Sequence, residues 1–176
     1  MPRKLKNIEL NRLSKEAFKT AEKNKVVLML DNVRSMSNVG SLFRSADAFR
    51  LEKICLCGIT ACPPHKEIRK TALGAEEAVD WEFHTRSADC AKIYKDQGYL
   101  IVALEQTQSS IDIRDFNQKG RHLLLVLGNE VEGVSEEVLA LCDAVLEIPQ
   151  FGTKHSFNVA VTGGIALWEL LSRELP

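Results

Sequence analysis

Short apolar runs alternate with longer segments whose apolar residues recur at helical spacing. Lys25–Leu30 (KVVLML) is almost wholly apolar and predicts a strand covered on both faces. Asp31–Asn38 follows as a polar loop. Val39, Leu42, Phe43, Ala46 and Phe49 then predict a helix, with Ser37 or Asn38 as its N-cap. Lys53–Ile59 predicts the next strand, and Cys62-Pro63-Pro64 breaks the chain. Glu67–Val79 reads as a helix interrupted at Gly74. Asp80–Phe83 reads as a short strand, Ala88–Asp96 as a helix and Tyr99–Leu104 as a strand. His122–Leu127 is another apolar strand, Val134–Leu141 a short helix, and Ala144–Ile148 the last strand, stopped by Pro149. In the final segment Phe157, Val161, Ile165, Trp168 and Leu171 share helical spacing. They predict a helix with that stripe buried and Ser156 as its cap.

Strands alternating with helices predict an α/β fold with a mostly parallel sheet and helices on both faces. Ligands of such sheets bind beyond the carboxyl ends of the strands. Attention therefore falls on Asp31–Asn38, Glu105–Thr107, Gly128–Gly133 and Gln150–Asn158. In Gly128–Gly133, glycines flank two acidic residues directly after an apolar strand, which suits a tight loop close to a ligand. Residues 1–24 are basic and then amphipathic. Ile8, Leu10, Leu13, Ala17, Phe18 and Ala21 suggest a short helix, read as an extension ahead of a main domain over 25–176.

At 176 residues the chain suffices for one well-buried domain, and 45% hydrophobic with 27% charged residues is an ordinary globular composition. The net charge of −1 gives no global polyanion footprint, so a nucleic-acid site has to be local. No signal-peptide pattern and no apolar run of about 18 residues is present, which leads to the expectation of a cytoplasmic protein without a membrane span. The five cysteines are expected to be reduced thiols. Cys55, Cys57, Cys62 and His65 do not match the usual zinc-knuckle spacing, so no metal is expected. Glycine-rich dinucleotide, Walker-type and nucleophile-elbow motifs are absent.

Taken together, three blocks carry a specific pattern. Asn32, Asn38, Gly40 and Arg44 resemble the N-x-x-x-x-x-N-x-G-x-x-x-R motif of the SpoU (TrmH-like) branch of the SPOUT RNA methyltransferases. Gly128-Asn129-Glu130 with Gly133 resembles its G-N-E-x-x-G motif. Ile148-Pro149 through Ser156-Phe157-Asn158-Val159 resembles its I-P-x-x-G-x-x-x-S-[LF]-N-V motif. The resemblance spans about residues 25–172 in family order. It implies a C-terminal trefoil knot, a homodimer, S-adenosylmethionine as cofactor, and methyl transfer to a ribose 2′-hydroxyl of RNA. The shortness of the chain, rather than the resemblance, leads to the expectation of tRNA over rRNA. By position the resemblance implies a reaction site of Asn38, Arg44, Glu130, Ser156 and Asn158. The cofactor would rest on Leu104, Glu105, Gly128, Asn129, Gly133, Ile148, Pro149, Phe157 and Asn158. Arg34, Arg44, Lys66, Arg69, Lys70 and Lys154 are the expected RNA contacts. The chain departs from the family pattern at Phe157, where Leu is frequent, and at Ala160, where Ser is frequent. A SPOUT base methyltransferase and a non-catalytic RNA-binding or assembly protein are the alternatives.

Overall fold

The structure, a computed structural model, describes residues 1–172. The last four positions of the expected domain lie outside the described residues. Seven strands form one sheet: β1 (Asn24–Asp31), β2 (Leu51–Cys57), β3 (Trp81–His84), β4 (Leu100–Leu104), β5 (Ile111–Asp112), β6 (Leu123–Leu127) and β7 (Ala144–Glu147). Their order is β3-β2-β1-β6-β4-β7-β5, and each neighbouring pair is parallel. The apolar runs become the central strands because both of their faces are covered. Val26–Leu30 and Leu123–Leu127 are fully buried.

Helices α1 (Lys15–Thr20), α2 (Met36–Ala48), α3 (Lys66–Ala72), α4 (Ala75–Ala78), α5 (Ser87–Asp96), α6 (Glu136–Leu139) and α7 (Val159–Leu171) cover the sheet. Phe18 of α1 and the buried residues of α2, α3, α4 and α7 share one core with Leu28, Leu30 and Leu125. Cys90, Ala91 and Tyr94 of α5 and Val138 of α6 pack on Val27, Met29 and Val126 from the opposite side. Side-chain alternation along the strands sorts the residues between these layers.

Several boundaries differ from the sequence expectation. Helix α2 is capped by Ser35, whose hydroxyl accepts from the Asn38 N–H at 3.3 Å, so Asn38 lies inside the first turn. Leu73 and Gly74 both adopt positive φ and split the expected Glu67–Val79 helix into α3 and α4. The N-terminal segment holds a 3-10 turn at Asn7–Leu10 ahead of α1 rather than one helix. The two-residue β5 was not expected from sequence, being too short to carry a period.

The largest correction concerns α7. Its buried face is Val159, Gly163, Ala166, Leu167, Leu170 and Leu171. Of the stripe expected to be buried, only Leu171 is. Val161 is 50% and Trp168 59% exposed. The helix is apolar nearly all round, so periodicity alone does not choose the inner face. Close approach chooses it. A Cβ at Gly163 would stand 2.6 Å from Leu42 Cδ2 and 2.9 Å from Leu127 Cδ1, so the bare glycine lets α7 settle onto α2 and β6.

Candidate active site

The loops after β4, β6 and β7 converge with the start of α7 at the carboxyl end of the sheet. They enclose a cleft of about 670 Å³, within the usual range for small-molecule sites. Its walls mix apolar side chains (Leu104, Leu127, Ile148, Phe157) with polar groups from Glu105, Asn129, Glu130, Ser156 and Asn158. The location follows from the topology, because all these strands run in one direction and end at the same rim.

Each loop is fixed by its own polar network. Asn129 donates its side-chain amide to the Asn32 carbonyl at 2.8 Å. Its own carbonyl oxygen accepts from the N–H groups of Val131 and Glu132. Gly133, at φ 72°, returns the loop to the strand end through paired bonds with Asn129. A Cβ at Gly128 would lie 2.2 Å from the Gly133 backbone carbon, so only glycine allows the loop to fold this tightly. Glu105 accepts from the Val134 N–H at 3.0 Å and the Gln106 N–H at 2.8 Å, tying the β4 loop to the β6 loop. Beneath them Asp31 is fully buried. It accepts from Ser87 at 2.5 Å and from the Ser135 N–H at 2.8 Å.

A second chain of contacts joins the three sequence blocks. Glu130 accepts from the Arg34 N–H at 2.9 Å, the Ser35 N–H at 3.0 Å and the Asn38 side-chain amide at 2.9 Å. Asn38 in turn accepts from the Asn158 amide at 3.1 Å. The other end of Asn158 caps α7, accepting from the N–H groups of Ala160 and Val161. Asn158, and not Ser156, is therefore the N-cap. A short carboxamide reaches those donors from the residue adjoining the helix. Burial pushes the Glu130 carboxyl upward, but the donors of Arg34, Asn38 and Ser35 outweigh it and hold the group below its ordinary value.

The expected cofactor residues Leu104, Glu105, Gly128, Asn129, Gly133, Ile148, Phe157 and Asn158 line the cleft, and Pro149 stands outside its lining. Of the expected reaction residues, Glu130, Ser156 and Asn158 line it. Asn38 is held behind the wall by Glu130 and Asn158. Arg44 is not brought to the cleft of its own chain. It stands exposed on α2, six positions beyond Asn38 and so turned well away from it. Among the expected RNA contacts, Arg34 and Lys154 are exposed near the rim, the first by its bonded N–H and the second by its loop. Lys66, Arg69 and Lys70 are exposed on α3, which packs beside α2. Lys70 pairs with Glu67 at 2.8 Å and Arg69 lies 3.7 Å from Glu77. Sequence reasoning did not single out Gln106, whose side-chain amide donates to the His155 carbonyl at 3.1 Å and bridges two walls of the cleft. Its position in a loop after a strand was the available signal.

Residues 25–168 match the family model described as the SpoU rRNA Methylase family. A 23S rRNA (guanosine-2′-O-)-methyltransferase, RlmB, of Xanthomonas axonopodis pv. citri is 29% identical over 154 residues, covering 85% of this chain and 59% of that protein. The tRNA (guanosine(18)-2′-O)-methyltransferase of Escherichia coli is 27% identical over 147 residues, covering 82% and 62%. An rRNA methyltransferase from Sinorhizobium meliloti, solved with bound AdoMet, superposes with a TM-score of 0.82 at 29% identity, covering 88% and 59%. The chain thus spans about three-fifths of the length of such relatives. With the family model covering most of the chain, and hydrogen bonds joining the three motif blocks beside one cleft, the protein belongs to the SpoU rRNA methylase family.

Proposed function

We propose that the chain transfers a methyl group from S-adenosylmethionine to a ribose 2′-hydroxyl of tRNA or rRNA. The observation that carries this reading is the Glu130–Asn38–Asn158 chain of contacts, which joins all three sequence blocks along one wall of a cleft of suitable size. The cleft fits the cofactor: apolar surface from Leu104, Ile148 and Phe157 suits a purine ring, and the bare Gly128 leaves room at the strand end. Glu105, Asn129 and Asn158 offer polar contacts beside it. When bound, the cofactor supplies a methyl already activated on a sulfonium.

The protein then has to align the ribose hydroxyl and favour loss of its proton. Ser156, on the rim, and Asn158, held at both ends, would orient the hydroxyl. Glu130 acts as the brace that sets Asn38 and, through it, Asn158. A guanidinium is a permanent cation with a planar fork of donors and a poor base, so the role proposed for Arg44 is to bind the adjacent phosphate and stabilise the developing alkoxide. Arg34, Lys66, Arg69, Lys70 and Lys154 would track the RNA backbone.

The off-cleft position of Arg44 and the exposed Val161, Ile165 and Trp168 of α7 support a homodimer in which a second copy completes the site. Family membership and the β6-β4-β7 strand order support a trefoil knot in the C-terminal segment. The family match begins where the 1–24 extension ends and supports that boundary. Among the described residues no helix is long and apolar enough to cross a membrane, and an RNA substrate supports a cytoplasmic location.

The test is incubation of the purified chain with methyl-labelled S-adenosylmethionine and total tRNA or rRNA. Label in alkali-resistant dinucleotides, lost in Arg44→Ala while cofactor binding persists, is the expected result. The expected preference for tRNA is read in the same assay. Label confined to bases would point to base methylation, and absence of cofactor binding by calorimetry to a non-catalytic RNA-binding role.

A further inference from the structure

At the opposite edge of the sheet from the cleft, strand alternation gathers a second set of chemically active side chains. Cys55 and Cys57 alternate onto one face of β2. The parallel register sets Cys55 beside Glu82 and Cys57 beside His84 of β3. Helix α5 lays Cys90 and Tyr94 over them. The thiol sulfurs of Cys55 and Cys90 and a ring nitrogen of His84 all lie within 4.8 Å of one another. Glu82 Oε1 stands 3.0 Å from His84 Nε2 and 3.5 Å from Cys55 Sγ.

We propose that Cys55, Cys90 and His84, with Glu82 as fourth ligand, form a structural site for a soft divalent cation of the zinc type. Two sulfurs, an imidazole nitrogen and a carboxylate oxygen are the donor classes that such an ion takes tetrahedrally. Ideal zinc geometry needs donor separations of about 3.3–3.8 Å. Side-chain rotations therefore have to draw the three clustered donors in and move Glu82 Oε1, which accepts from the Tyr94 hydroxyl and lies beside His84, onto the ion. Each thiol releases one proton to solvent as its sulfur binds. Two thiolates and one carboxylate against a dication leave one negative charge, which Lys53, 2.7 Å from Glu82 Oε2, neutralises. The thiols are buried, but the His84 side chain is 18% and that of Glu82 33% exposed, which gives the ion an entry path from the sheet edge. Bound there, it would pin α5 to the β2–β3 edge. Cys62 and His65 take no part: Cys62 packs in the other core layer and His65 caps α3.

The test is titration of the reduced, chelator-stripped full chain with Co²⁺, followed by Zn²⁺. One equivalent should produce the thiolate-to-cobalt charge-transfer band and the visible bands of tetrahedral cobalt, and one equivalent of zinc should bleach them. Cys90→Ser and His84→Gln should each weaken binding at least about tenfold, while Cys62→Ser leaves it unchanged. Zinc at about a hundred times its Kd should raise the wild-type Tm by about 5 °C or more, and not that of the variants. Absence of the cobalt bands, or bands that persist in His84→Gln, overturns the proposal. Circular dichroism checks that each variant folds. If Cys90→Ser does not, His84→Gln at its part-exposed position decides alone.

Discussion

Replacing Glu130 by Gln tests whether this carboxylate braces the site or takes part in the chemistry. In the native arrangement one oxygen accepts from the Ser35 N–H and the Asn38 amide, and the other from the Arg34 N–H. A glutamine carbonyl can keep the first pair. Its NH₂ then faces the Arg34 N–H, donor against donor, and the charge assistance is lost throughout. Each net hydrogen bond is worth about 0.5–1.5 kcal/mol, at the low end where solvent has access. Glu130 is exposed, so the expected loss of stability is about 1–2 kcal/mol. If all of it reaches the transition state through a looser Asn38, kcat/KM falls about tenfold, since 1.4 kcal/mol is a factor of ten. The folded carboxyl lies below its ordinary value. Its stabilisation is therefore complete above the unfolded pKa of about 4.3 and is lost as pH falls through the folded value. The gap between wild type and variant should close in that acid window. Urea unfolding at pH 7 and below pH 4, with methyl incorporation into RNA at pH 7, reads all three effects. Equal stability and turnover in both proteins at pH 7 would refute the brace. So would a thousand-fold loss of turnover at unchanged stability, which would place Glu130 on the reacting atoms.

Two other substitutions probe the packing around α7. Gly163→Ala drives a methyl into Leu42 and Leu127; a loss of about 1–3 kcal/mol is expected in urea unfolding, with a lower Tm. Trp168→Glu places a charge in the exposed apolar stripe. Sedimentation should show it shifted toward monomer while far-UV circular dichroism stays native; a variant that assembles as wild type would remove this face from the proposed contact.

The sheet was legible because its central strands are buried on both faces, and Val26–Leu30 or Leu123–Leu127 admits few other readings. The cleft was legible too, since Gly128, Asn129, Glu130 and Asn158 follow strands that all end at one rim. What escaped depended on contacts between distant segments. Neither stripe of α7 is polar, so only the fit of Gly163 against Leu42 reveals which turns inward. The caps moved because Ser35 and Asn158 reach free N–H groups that Asn38 and Ser156 do not. Arg44 shares a motif with Asn38 yet points elsewhere, a consequence of helical phase. The Cys55–His84–Cys90 cluster joins β2, β3 and α5 and leaves no spacing signature in the chain.

The central place of β1 bears on how the molecule is made. One of its edges pairs with β2, close in sequence, and the other with β6, where Leu30 meets Leu127. During synthesis, β1, β2 and β3 with their helices are available as a platform while the second edge of β1 stays open. An unpaired buried-type edge is a template for wrong partners. The cleft walls, all from Leu104 onward, arrive after that platform. Closing a sequence gap of roughly a hundred residues is slow, so the interval before β6 docks is when this chain is most exposed to aggregation, and a product ending ahead of Leu123 would never leave it.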